Sequence, residues 1–505
     1  MGRTSDWKAP SIVLSIALLC CALSVCASSV AAETSVDDYI SRIEAAQSDP
    51  GESGLGALTI QELMERYHVP GVSLAVIRDF DVHWAKGYGV ADVETGARVG
   101  EHTLFQAASI SKPVAAMGVL KAVQDRVFSL DDDINDILKS WKLDGGEFTK
   151  QRPVTPRTLM SHVSGLGDGF GFPGYEPGGA IPTVVQILDG AAPSNTRRLF
   201  MERAPLTAME YSGGGVTLMQ QALTDARGRP FQDILRKDVL APIGMADSTF
   251  EQPLPPSRDR DAARAHGPQG EARGAKWHVY PEMAAAGLWT TATDLARFAI
   301  EVQKSRNGRS NRVLDRATVM NMLTPVGVGD YAVGFSLQKL GQGWYFNHGG
   351  SNWGFRCTLL AHVVNGYGLV IMTNADSGGS VIEELSRRIQ HAYQWDSLAQ
   401  PVPQGYDPPR EFPEIKLPRD VLSEYVGDYR LADEQQTLIA ITLDAGQLNV
   451  APEGQAKAAL FATETDHLFL RIAPVELFFN RDEGGKVTSF TLAQRGERIN
   501  AAKVR

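Results

Sequence analysis

Cysteine is nearly missing from this chain. There are four in 505 residues, and three of them (Cys20, Cys21 and Cys26) crowd into one apolar run near the N-terminus. Only Cys357 lies in the body of the protein, which therefore has no internal disulfide to rely on. Within the strand-like run FRCTLLAHVV, Cys357 reads as a small core residue and not as a nucleophile. Other absences exclude whole chemistries. No G-x-S-x-G occurs, so the chain lacks a nucleophile elbow. There is no H-E-x-x-H or C-x-x-C, and the ten histidines are scattered, so no metal site and no cofactor are expected. No glycine-rich phosphate loop points to a nucleotide. Basic residues are outnumbered, 49 against 59 acidic ones, for a net charge of −10. That balance argues against a nucleic-acid partner, which would need a basic face to displace counterions. Internal repeats are absent as well.

What is present is an ordinary globular composition, 43% hydrophobic and 21% charged, in a chain too long for one compact core. Arg3 and Lys8 precede the apolar run SIVLSIALLCCALSVCA, and small residues follow in SSVAAETS. The order basic, apolar, small predicts a secretory signal over residues 1–32, cleaved after Ala32, and a periplasmic or secreted protein. An uncleaved anchor is disfavoured because the run is short for a span and no basic stop-transfer cluster follows. A lipoprotein at Cys26 is disfavoured by the bulky Val25 before it.

GVSLAVIRD and HWAKGYGVAD read as two strands joined by a turn at Asp79–Asp81. Helical patterns follow from Ser109 to Arg126 and in DDDINDILKSW; the Gly/Pro-rich stretch 165–182 reads as loop. Helices return at GVTLMQQALTDARG and PFQDILRKDVLAPIG, each closed by a glycine. Four strands (YAVGFSLQKL, GWYFNH, FRCTLLAHVV, YGLVIMTNAD) and a helix from Ser380 to Trp395 complete an α/β (α+β) unit over 33–399. Its sheet should close N- and C-terminal pieces together, with helices around it. Six prolines between Pro401 and Pro418 mark 400–418 as a stiff linker. Over 419–505, five alternating runs (TLIAITLD, QLNVAP, HLFLRI, VELFFNRD, VTSFTLAQ) predict a small all-β domain, sandwich or barrel.

The chemistry concentrates at AASISKP. Ser109 and Lys112 stand one helical turn apart on one face, with Pro113 in the first turn, where proline costs nothing. A serine hydroxyl is a weak nucleophile until a base takes its proton. Lysine serves as that base when burial and the positive end of a helix lower its pKa. Ser111 has no basic residue at helical spacing, its i+3 and i+4 neighbours being Val114 and Ala115. Ser-x-x-Lys occurs three times, but Ser5–Lys8 lies in the signal, and Ser336–Lys339 in a strand, where i and i+3 face opposite ways. Taken alone, Ser109–Lys112 reads equally well as an N-capping serine and a solvated lysine.

Two later stretches change the balance. MEYSGGGVTLMQ places Tyr211 before a glycine run that leads into a helix, and NHGGSNWGF places His348 at a strand. Ser-x-x-Lys, the Tyr211–Gly213 loop and His348–Gly350, in that order, resemble the penicillin-recognising serine hydrolases: class C β-lactamases, D,D-peptidases, and related esterases and D-aminopeptidases. PGVSLAVIRD, LMSHVSGL and AAAGLWTTATDLARFA resemble the same family, and the likeness runs from Leu58 to Trp395. The resemblance implies a β-lactamase/transpeptidase-like fold with a helical subdomain. It implies Ser109 as nucleophile, and Lys112 and Tyr211 as proton carriers, with Tyr211 phenolate-like under nearby cations. The backbone N–H groups of Ser109 and Ser351 would form the oxyanion hole. His348 would lie on an edge strand, with Gly213, Gly349 and Gly350 against the substrate. His162, in LMSHVSGL, would be a structural partner in the site wall.

Two departures bear on substrate. Gly213 stands where the β-lactamases carry an asparagine amide, and His348 where they carry lysine. An imidazole is mostly neutral at pH 7 and grips a carboxylate less firmly than an ammonium does. The expectation is an exported serine acyl hydrolase acting on amide or ester bonds of a small-molecule, peptide or ester substrate, with both departures pointing to the esterase and peptidase branches. A true β-lactamase and a non-catalytic binder of peptides or wall fragments stand as alternatives. By the same resemblance, the C-terminal strands would narrow the active-site mouth or join copies of the chain into a homo-oligomer.

Overall fold

The computed structural model of the protein describes residues 34–48, 54–167, 172–399, 415–432, 437–444, 446–452, 457–470, 475–482, 484–494 and 497–504. The expected signal and residues 400–414 of the expected linker lie outside them. Among the described residues, no helix is long and apolar enough to cross a membrane.

The central sheet joins the two ends of the larger unit. β1 (Gly71–Arg78) pairs with β2 (Asp81–Asp92) on one side and with β9 (Gly368–Thr373) on the other. Beyond β2 lies β3 (Ala97–Arg98); beyond β9 come β8 (Phe355–His362), β7 (Gly343–Asn352) and β6 (Ser336–Leu340). A separate short pair is formed by β4 (Phe105–Gln106) and β5 (Trp289–Thr290). Every pairing in the central sheet is antiparallel. β1 alternates cleanly between two apolar layers: Ala75 and Ile77 enter one cluster, and Val72, Leu74 and Val76 the other. A strand buried on both faces needs this continuous hydrophobic run, which is why GVSLAVIR is apolar almost throughout.

One layer contains α2 (Ser111–Gln124), α3 (Gly213–Arg227), α4 (Met283–Ala286) and α5 (Ala292–Arg306). The other contains α1 (Val36–Glu44) and α6 (Gly379–Tyr393), which lays Val381, Leu385 and Ile389 on the sheet. Arg388 fastens this second layer. Fully buried, it meets Glu384 at 2.7 Å and donates to the carbonyls of Ile43, Ala45, Leu55 and Leu58, tying the N-terminal segment to α6.

DDDINDILKSW departs from expectation. Only Ile134–Ile137 is helical, capped by the Asp133 carboxylate on the Asn135 N–H. The other aspartates are used elsewhere, Asp131 in a pair with Arg157. The C-terminal segment is a closed eight-stranded barrel, β10 (Gly427–Leu431), β11 (Leu438–Asp444), β12 (Gln447–Pro452), β13 (Ala458–Glu464), β14 (His467–Leu470), β15 (Val475–Arg481), β16 (Val487–Gln494) and β17 (Glu497–Lys503). The alternating runs account for five of these. β10, β13 and β17 are alanine-rich or polar, and closure recruits them because an open sheet would leave unpaired edges.

Replacing Arg388 with Met removes a donor from four carbonyls, one of those bonds fully buried, and leaves the buried Glu384 with Arg387. The expected cost is about 3 kcal/mol, read as a lower urea midpoint. Glu384→Gln/Arg388→Met should recover part of it.

Candidate active site

Ser109 does not open the helix itself. It lies in a 3₁₀ turn, Ala108–Ile110, and α2 begins two residues later at Ser111. The residue before it, Ala108, is buried with φ at +49°, a left-handed conformation that costs a non-glycine residue about 1–3 kcal/mol. That turn sets the hydroxyl over the first turn of α2. Lys112, 2% exposed, donates from Nζ to Ser109 Oγ at 3.1 Å and to the Ala285 carbonyl at 2.8 Å. The second serine is structural, its Oγ accepting the Leu288 N–H at 2.9 Å, so Ser111 anchors backbone and faces no substrate.

Tyr211 precedes α3, whose first turn is the glycine run itself, capped by Ser212 Oγ on the Gly215 N–H. The Lys112 ammonium lies 4.9 Å from the Tyr211 ring centre, and the Tyr211 hydroxyl is hydrogen-bonded to Ser109. Burial raises the Tyr211 pKa above that of an ordinary phenol, and the Ser109 bond offsets it only in part. Burial thus works against the phenolate-like state that the resemblance implies for Tyr211.

His162 braces this loop. Its φ is +60°, its Nδ1 accepts the Ser212 N–H at 3.1 Å, and its ring lies 4.3 Å from Tyr211. Tyr331, for which the sequence offered no motif, packs edge-on against His162 at 4.9 Å and faces Tyr211 and His348 at 6.2 and 6.1 Å.

His348 is on β7, which is not the sheet edge; β6 lies outside it. The β6 pairing ends at Asn347, however, so from His348 onward β7 has no strand on that side. There the 3₁₀ turn of Ser109 packs against it. His348 is 4% exposed, its Nδ1 lies 2.6 Å from the Gly349 carbonyl, and its buried Nε2 has no hydrogen-bond partner. Burial, then the Lys112 charge, lowers its pKa to about 3, and the same two causes hold His162 well below its ordinary value. Lys112 is thus surrounded by neutral rings.

The two glycines differ in role. A Cβ on Gly350 would stand 2.4 Å from both the Ala107 carbonyl oxygen and Cys357 Sγ, so Gly350 makes room for the turn that carries Ser109. Gly349 has only the Cys357 carbonyl oxygen near, at 3.9 Å, and is exposed, as is Ser351. Cys357 is a buried thiol donating to the Ala107 carbonyl at 2.9 Å, and burial raises its pKa.

Behind Lys112 lies the segment that opens AAAGLWTTATDLARFA. Gln220 on α3 donates to the Pro281 carbonyl and accepts the Ala284 N–H; Asn352 at the end of β7 donates to the Ala286 carbonyl and to Gln106. Glu282 between them is fully buried, neither carboxyl oxygen has a partner, and burial pushes its pKa up to about 8. Among the described residues, no cluster of three His, Cys, Asp or Glu could hold a metal ion.

Gly350→Ala should cost about 1–3 kcal/mol of stability by overpacking against Ala107, whereas Gly349→Ala should stay within about 0.5 kcal/mol of the parent by the same urea titration. Glu282 and His348 predict opposite pH limbs. With its pKa raised from 4.5 to about 8, Glu282 holds a proton in the folded chain that the unfolded chain releases, so stability falls as pH rises through this window. His348, lowered from 6.5 to about 3, removes stability as pH drops below 6.5. Between pH 6.5 and 8, Glu282→Gln should abolish a loss of up to about 1.4 kcal/mol per pH unit, measured by urea unfolding at both ends.

Comparison with known proteins places this geometry. The beta-lactamase family pattern matches residues 57–394. Penicillin-binding protein 4* of Bacillus subtilis is 23% identical over 468 residues, covering 88% of this chain and 97% of that protein. Esterase EstB of Burkholderia gladioli is 29% identical over 288 residues, 50% of this chain and 70% of the esterase. The octameric penicillin-binding protein homologue from Pyrococcus abyssi shares the fold, with a TM-score of 0.52 at 19% identity over 87% of this chain and 97% of that one. With the pattern spanning well over half its length, the chain belongs to the beta-lactamase family of serine hydrolases.

Proposed function

We propose that this protein is an exported serine acyl hydrolase that works through a Ser109 acyl-enzyme and prefers esters to β-lactams and D-alanyl peptides. The observation that carries the reading is the shared hydroxyl. Ser109 Oγ accepts from Lys112 Nζ and is bonded to Tyr211, so two proton carriers meet on one oxygen. For the first half-reaction Lys112 gives up its resting proton to solvent, and the amine then takes the Ser109 proton as Oγ bonds to the acyl carbon. The Tyr211 phenol passes a proton to the leaving oxygen as that bond breaks and is refilled from Lys112. Water then repeats the sequence in reverse and frees Ser109. The oxyanion falls to the N–H groups of Ser109 and Ser351, each worth about 3 kcal/mol in the transition state.

The ester preference rests on what the site lacks. His348 is buried and neutral, so it offers no charge to a substrate carboxylate. Gly213 offers no amide to an acylamido group. The likeness to an esterase supports the same lean. Export rests on the basic, apolar, small order of residues 1–32.

The test is a fluorophosphonate with intact-mass detection, followed by p-nitrophenyl esters, nitrocefin and D-alanyl peptides compared by kcat/KM. The parent should gain one adduct and turn over the esters fastest. Ser109→Ala should lose adduct and turnover together; an undiminished adduct in that variant would sink the assignment.

A further inference from the structure

Gly213 does more than omit an amide, because its space is taken. A Cβ at 213 would lie 2.8 Å from Phe172 Cε2 and 3.2 Å from Cζ. The Phe172 ring therefore occupies the ground that any side chain at this position would enter, two residues past Tyr211. The loop that carries it continues into contact with residues 278 and 279. The Pro173 carbonyl lies 2.9 Å from His278 Nδ1, and Tyr175 forms an antiparallel bridge with Val279. His278 in turn stacks on Trp353 at 4.0 Å and 6° between planes. Trp353 stands two residues past Ser351 and is pinned by its N–H on the Tyr280 hydroxyl. Phe172, His278 and Trp353 are each only partly buried, and the Arg273 guanidinium lies 4.5 Å from the Trp353 ring centre.

We propose that Phe172 is the specificity-determining residue of the acyl site. By filling the space at Gly213 it selects apolar acyl groups that carry no amide next to the scissile carbonyl, such as those of simple aliphatic or aryl acids. The physical reason is desolvation. An acylamido group entering beside this ring gives up its water and meets an aromatic face where a hydrogen-bonding side chain would otherwise stand. An alkyl chain in the same place loses only unfavourable hydration. The proposal rests on Ser109 being the nucleophile, and adds the acyl class it receives.

The test keeps the leaving group constant: p-nitrophenyl butyrate against the p-nitrophenyl ester of N-acetyl-D-alanine, with the full chain. The parent should favour the butyrate at least about tenfold in kcat/KM. Phe172→Ala should move that ratio at least about threefold toward the acetamido ester, and Phe172→Ala/Gly213→Asn by about 10–100-fold, since it clears the ring and supplies an amide. The ratio of p-nitrophenyl to ethyl butyrate should not move in Phe172→Ala, which separates acyl selection from a general loosening of the site. Fluorophosphonate labelling should persist in both variants. An unchanged acyl ratio in Phe172→Ala with labelling intact overturns the proposal, as does a parent that favours the acetamido ester. Retained ester turnover in Ser109→Ala would instead strike the nucleophile assignment and leave the acyl ratio to be read on its own. Should the double variant fail to fold, Phe172→Ala alone decides.

Discussion

Everything at the site turns on holding one lysine under the surface. Lys112 is 2% exposed, and an ammonium taken out of water costs several kcal/mol unless its donors find partners. Here they find Ser109 Oγ and the Ala285 carbonyl, with the Tyr211 ring close by. The surrounding imidazoles of His348 and His162 are kept neutral by burial and by this same charge.

That arrangement makes the short segment around α4 the keystone of the larger unit. The Ala285 carbonyl meets Lys112, the Ala286 carbonyl meets Asn352 from β7, the Leu288 N–H meets Ser111, and the Ala284 N–H meets Gln220 from α3. Elements distant in sequence are thus located against one backbone, with the side-chain partners buried, where a hydrogen bond is both stronger and costlier to lose. Strain is stored beside it at Ala108 and His162, the residues that aim Ser109 and brace the Tyr211 loop. Packing that over-determines the surroundings is what keeps such conformations populated.

Much of the fold was legible in advance. Continuous apolar runs marked β1 and β9, and glycines closed α3 and the helix ending at Ile243, because these signals are local. The overextended helix after Leu130 shows where local reading fails: its aspartates suit a helix start but are spent on Arg157 and a single turn. The barrel strands β10, β13 and β17 escaped notice because closure, and not alternation, makes them strands. The candidate residues Ser109, Lys112, Tyr211 and His348 could be named from three short motifs. Tyr331, Glu282, Gln220, Asn352 and Phe172 could not, since none stands at a fixed spacing from another.

The sequence by itself determined the chemistry on offer: a serine and a lysine one turn apart, a tyrosine before a glycine run, and a histidine at a strand. Tertiary structure decided the state of each group. Burial raises the pKa of the Tyr211 phenol, and burial beside Lys112 lowers that of the His348 imidazole. It also decided that the room at Gly213 belongs to Phe172, 41 residues earlier in the chain. Desolvation and long-range proximity have no signature along a chain; they exist only once it has closed on itself.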